Sequence, residues 1–175
     1  VLDVGANVGV FTALATAQGA AVTAVEAHPP TADRCRANCP DATVYAFALG
    51  CGVDTVGLDV TNDAVGTQRP AVGGDGVTVR QLPGDRLPTP DVLKIDVEGA
   101  EMSVLEGFAR TLAEAPPRVM YVEVHGTQDE VAVRRRLRAV GYDEIEWGSV
   151  GADETMLRAT GAHGRLRGAS EGCEI

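Results

Sequence analysis

Lysine is almost missing from this 175-residue chain: of its 15 basic residues, Lys94 alone is a lysine. Long apolar runs are missing too. No stretch approaches the roughly 18 consecutive apolar residues of a membrane span, and no charged start with an apolar core and small-residue cleavage site marks an export signal. The chain therefore reads as soluble and cytoplasmic. A surplus of positive charge is also absent: 25 acidic residues against 15 basic ones give a formal charge of −10, which argues against general affinity for nucleic acid or anionic membrane. The four cysteines, Cys35, Cys39, Cys51 and Cys173, lack the paired spacing of a zinc site and the density of a disulfide scaffold, so they read as plain thiols. What remains fits one domain with a sizeable core. The sequence opens at Val1 inside an expected buried strand, which suggests a truncated N-terminus.

Short β-branched and apolar runs alternate with longer segments of helical period, the pattern of a mostly parallel sheet covered on both faces. Strands are expected at Val1 to Val4, Ala21 to Glu26, Thr43 to Ala48, Val92 to Val97 and Arg118 to His125. Helices are expected near Val10 to Gln18, Thr31 to Asn38, Ala100 to Glu114 and Asp129 to Val140. Tyr142 to Trp147 and Glu154 to Ala159 complete the sheet as an antiparallel pair at its edge. From Gly50 to Pro90 two alternating runs, Thr55 to Val60 and Val77 to Leu82, flank a Gly, Pro and Asp-rich stretch, which predicts a hairpin-like insertion with a mobile tip. The domain is placed at 1–160, and 161–175 reads as a loose tail.

The first strand runs into Asp3-Val4-Gly5-Ala6-Asn7-Val8-Gly9, a glycine-rich turn that opens a helix and so presents free backbone N–H groups at the carboxyl edge of the sheet. A nicotinamide fingerprint would need glycine at positions 7 and 10, where Asn7 and Val10 stand, and no Gly-Lys-Ser or Gly-Lys-Thr follows for a phosphate loop. The remaining Gly5 and Gly9 form a turn wide enough for a methionine and ribose moiety. The second strand ends at Glu26, 21 positions after Gly5, where an acid accepts hydrogen bonds from two ribose hydroxyls. Asp3 is either a support for the loop or a direct contact. Ala6 and Asn7, with Ala48 and Leu49 where the third strand ends, complete the expected cofactor contacts.

Lys94, Asp96 and Glu98 alternate along Val92-Leu93-Lys94-Ile95-Asp96-Val97-Glu98-Gly99, so in a strand they share one face. Burying such a row is costly unless the charges are paired, which suggests a site or the network that fixes one. Glu101, just beyond, reads as an ordinary first-turn acid. Glu123 and His125 end the next strand and are expected to converge with Asp96 beside the loop. His125 is a possible general base, with Asp96 or Glu123 orienting it or binding the acceptor. The same cluster allows a divalent metal, which is not favoured. Arg134, Arg135, Arg136 and Arg138 read as the solvated face of a helix that turns Val131, Val133, Leu137 and Val140 inward, and Trp147 as edge-strand packing.

VLDVGANVGVFT, AVEAHP, LKIDVEGAEMSVLEG and VMYVEVHG, in this order and spacing, resemble the FkbM-type methyltransferases over about Val1 to Trp147. Ala27 departs from the proline that commonly follows the acid. The resemblance implies a doubly wound, Rossmann-like seven-stranded sheet with six parallel strands and S-adenosylmethionine as methyl donor. It also implies O-methylation of a hydroxyl on a sugar, glycan or natural product. A non-catalytic module that binds the same donor remains the alternative, and a nicotinamide-dependent oxidoreductase is less favoured.

Overall fold

A computed structural model describes residues 1–59, 69–71, 76–149 and 154–161. In chain order the large sheet takes β1 (Leu2–Val4), β2 (Thr23–Glu26) and β3 (Thr43–Ala46), and the small sheet takes β4 (Ala48–Leu49), β5 (Asp54–Asp59), β6 (Arg69–Ala71) and β7 (Val77–Leu82). The large sheet resumes with β8 (Val92–Ile95), β9 (Val119–His125), β10 (Glu144–Ser149) and β11 (Glu154–Thr160). The helices are α1 (Val10–Ala17), α2 (Pro29–Asn38), α3 (Glu101–Gly107), α4 (Ala109–Glu114) and α5 (Thr127–Ala139).

The seven-stranded sheet has the order β10-β11-β9-β8-β1-β2-β3. Because β11 is antiparallel to both β9 and β10 while the other neighbours are parallel, six strands share one direction, as the resemblance implies. The connections leaving β1 and β8 go to opposite sides, and such a reversal opens a crevice at the carboxyl ends of the strands. The central strands are apolar because both faces are covered: Leu2, Val4, Leu93, Ile95, Met120 and Val122 are all buried. They join Val104, Leu105, Phe108, Leu137 and Tyr142 in one core.

Several local details differ from the sequence reading. The expected third strand breaks at Phe47, which packs against the large core while Ala48 and Leu49 pair with Gln81 and Leu82 of β7. The expected helix from Ala100 to Glu114 is two helices, α3 and α4, that meet at Phe108; this fully buried ring lies directly against Gly84. Val131 is 60% exposed rather than inward, because the buried stripe of α5 is Val133 and Leu137, continued by Val140 just past its end, and a residue two positions from Val133 lies on the other side of the helix.

The Gly50 to Pro90 region joins β4 in a four-stranded sheet of order β4-β7-β5-β6, with β5 antiparallel to β6 and β7. The expected mobile tip falls on 60–68 and 72–75, and the expected tail on 162–175, both outside the described residues. Among the described residues, no helix is long and apolar enough to cross a membrane. Trp147 is 67% exposed on β10, with the Arg134 guanidinium 5.7 Å from its ring centroid.

Candidate functional site

The turn after β1 needs its glycines. Gly5 has φ 76° and its N–H donates to the Val25 carbonyl at 2.9 Å, while a Cβ there would run into the Asp96 carbonyl. Gly9, at φ 94°, starts α1; a Cβ there would lie 2.7 Å from Cys39 Sγ and 2.9 Å from Cys35 Sγ. The two cysteines thus form the packed floor beneath the loop. Burial pushes the Cys35 thiol up to about 11, as expected of a structural rather than a reactive sulfur. Between the glycines, Asn7 takes φ 50°, and its buried Oδ1 has no hydrogen-bond partner among the described residues.

Glu26 ties this loop to the next. Its Oε2 accepts the Asn7 N–H and its Oε1 accepts the His28 N–H, each at 2.8 Å. Burial pushes its carboxyl above the usual range, and the two N–H groups oppose that rise by favouring the charged form. Asp3 lies deeper and is fully buried. It accepts the Thr12 hydroxyl at 2.7 Å and pairs with Lys94 Nζ at 3.2 Å. Lys94 Nζ also stands 3.2 Å from Asp96 Oδ2 and 3.4 Å from the Gly5 carbonyl. Burial favours the neutral amine, but the Asp3 and Asp96 carboxylates outweigh it and raise the Lys94 pKa.

A cavity of about 320 Å³ opens at this edge of the sheet. Of the expected cofactor contacts, Gly5, Asn7, Glu26, Ala48 and Leu49 line it, and Asp3, Ala6 and Gly9 do not. Of the expected catalytic residues, Asp96 and Glu98 line it, and Lys94, Glu123 and His125 do not. Val56, Leu58 and Gln81 of the small sheet close one side, and Ser103 contributes from α3. These four were missed by sequence reasoning. Alternation along β5 and β7 shows which residues share a face but not what that face covers.

At the cavity wall, the expected convergence of the two strand tips is present. Glu98 has φ 53°, a left-handed backbone uncommon outside glycine. His125 Nδ1 lies 2.7 Å from Glu101 Oε1, and its Nε2 lies 3.4 Å from Glu98 Oε2. The hydrogen bond to Glu101 outweighs the effect of burial and, with the charges of Glu98 and Asp96, raises the His125 pKa to about 9. Asp96, Glu98 and His125 present one donor atom each within 4.8 Å of one another, a spacing that one cation can span. Here, though, both ring nitrogens face carboxylates, the arrangement of an imidazolium. Burial and the Asp96 charge raise the pKa of neighbouring Glu123.

Glu101, read from the sequence as a first-turn acid, is 1% exposed and bonded to His125. A signal was available: Glu101, Val104 and Leu105 are the buried stripe of α3, at the i, i+3, i+4 spacing of an inward face.

The precorrin-6y C5,15-methyltransferase of Geobacter metallireducens superimposes with TM-score 0.56 at 15% identity, covering 90% of this chain and 77% of that one. A TehB-like SAM-dependent methyltransferase from Corynebacterium glutamicum gives TM-score 0.50 at 15% identity, over 91% and 78% of the two chains. These similarities establish the fold alone. The hexuronic acid methyltransferase AglP of Haloferax volcanii is 31% identical in an alignment of 146 residues that covers 77% of this chain and 59% of that protein. This chain therefore spans about three-fifths of that relative's length. Residues 3–144 match the methyltransferase FkbM domain, and the chain belongs to that family.

Proposed function

We propose that the chain is an S-adenosylmethionine-dependent O-methyltransferase whose acceptor is a sugar hydroxyl, on a glycan or a small molecule. The observation that carries this reading is one cavity with two chemically different ends: Asn7 and Glu26 at one, Asp96 and Glu98 at the other. The first end suits the donor. Glu26 has an acceptor lone pair left on each oxygen for ribose hydroxyls, the orphaned Asn7 Oδ1 can accept a further N–H or O–H, and Gly5 allows close backbone approach. Ala48 and Leu49 offer an apolar surface for a base. Asp3 and Lys94 hold the loop from below. When bound, the donor supplies a sulfonium methyl group already activated for transfer.

The protein's part is then to place an acceptor hydroxyl in line with that methyl and to receive its proton. Because both His125 ring nitrogens face carboxylates, which favour its protonated form, Asp96 or Glu98 is better suited than His125 to accept that proton. Similarity to the hexuronic acid methyltransferase supports a sugar as acceptor. The test is calorimetry with S-adenosylmethionine, then labelled-methyl transfer to hexuronic acids, neutral sugars and natural-product hydroxyls, with and without magnesium. Donor binding and a labelled sugar are expected. A chain that binds no donor is not a methyltransferase, and one that binds donor but labels no hydroxyl is a binding module.

A further inference from the structure

Glu101 stands where a surface helix would need no acid. It opens α3, yet its side chain is almost completely buried, which is tolerated only where partners compensate the lost hydration. Its Oε1 accepts the Gly99 N–H at 2.9 Å and faces His125 Nδ1 at 2.7 Å. On the far side of the imidazole, Nε2 faces Glu98 Oε2 at 3.4 Å. Three side chains from three segments therefore stand in a row, and only Glu98 reaches the cavity.

We propose that Glu101 is a positioning residue: through the His125 imidazole it fixes the Glu98 carboxylate at the cavity wall, where Glu98 receives the acceptor hydroxyl. The inference rests on the methyl-transfer reading above. Its physical basis is donor count. A neutral imidazole carries one N–H and can donate to Glu101 or to Glu98, whereas an imidazolium carries two and donates to both. The Glu101 charge helps keep the second proton in place, and the held carboxylate in turn belongs to a residue with left-handed backbone.

The surroundings agree with a retained positive charge. His125 is faced by Glu101 on α3, by Glu98 and Asp96 after β8, and by Glu123 on its own strand. Glu154 is its register partner on β11, and Asp129 of α5 lies beside Gly126. Lys94, which also acts on Glu123, is already paired with Asp3 and Asp96. Glu101 bonds to Gly99 and His125, whereas Glu26 bonds to Asn7 and His28, so the loss of Glu101 should spare the donor end.

The full chain and its Glu101→Gln and Glu101→Ala variants are compared by donor calorimetry, by kcat and KM for an acceptor labelled in the screen above, and by NMR titration of His125. Donor affinity is expected to stay within about twofold, and kcat to fall on the order of 100-fold in Glu101→Ala, the cost of a misplaced reacting group. Glu101→Gln keeps an acceptor for Nδ1–H and should retain more turnover. In both, the alkaline limb of the rate profile and the His125 titration should move from about 9 toward the ordinary imidazole value of about 6.5.

An unchanged kcat with an unmoved limb overturns the role. So does a kcat loss matched by lost donor affinity, which marks a merely structural residue. Turnover abolished by a chelator and restored by magnesium or manganese overturns it as well, because a cation would then hold Glu98 and His125. A wild-type chain that binds no donor overturns this role and the methyl-transfer reading together, and is recognised because no substitution is needed to see it.

Discussion

Asp3 and Lys94 are register partners on the adjacent parallel strands β1 and β8, and their side chains meet at 3.2 Å beneath the loop. The chain's one lysine is therefore the buried counter-charge of the carboxylate that also receives the Thr12 hydroxyl. Breaking a buried pair from one side leaves an uncompensated charge and costs about 3–5 kcal/mol. Lys94→Met is expected to destabilise by that amount in urea unfolding, and Lys94→Met with Asp3→Asn to recover much of it. Equal stability of the single variant and the wild type would remove the pair from any structural account.

Gly5→Ala should be more damaging to binding than a one-carbon change suggests. The added Cβ meets the backbone carbonyl of Asp96, not a side chain that can turn away, and φ 76° disfavours any L residue. Donor affinity is expected to fall at least 10-fold in calorimetry, with a lower melting temperature. Wild-type affinity in this variant would mean that the loop does not approach the donor closely.

Glu26→Gln should weaken donor binding by on the order of 10–100-fold, since a charged acceptor bond contributes about 1.5–3 kcal/mol. The pH dependence has a definite sign. Burial raises the Glu26 pKa, so on acidification the wild type protonates there, and loses donor affinity, at a higher pH than an ordinary glutamate would. The Gln variant should show a flatter curve over the same range, measured by calorimetry at a series of pH values.

The alternation of strand and helix, the carboxyl-edge loop and the convergence of the Asp96 and His125 strand tips were legible in the sequence because each depends on local period or on neighbouring strands. The burial of Glu101 was overlooked because acids favour helix N-termini anyway, so the dipole explained it before its inward spacing was weighed. The protonation of His125 was not legible for a different reason. Its charge state depends on Glu101 and Glu98, residues 24 and 27 positions away, and that depends on how three segments pack. The break at Phe47 and the cavity wall from Val56 and Gln81 likewise depend on docking between two sheets, which no local pattern reports.

His125 also makes stability fall with alkali. Its folded pKa of about 9 lies above the unfolded value of 6.5, so its contribution is fully present below about 6.5 and is lost as pH rises through 9. Urea unfolding from pH 6 to 9.5 should show this decline in the wild type and a smaller one in His125→Gln. Parallel curves would place the titration elsewhere.

Cys35 and Cys39, packed against Gly9, give the molecule a native clock for the breathing of its loop. With both sulfurs buried, an alkylating reagent reaches them only when the turn or α2 opens, so the labelling rate counts openings without any attached probe. A ligand that clamps the loop from the cavity side slows that clock from the opposite face, even when nothing is turned over.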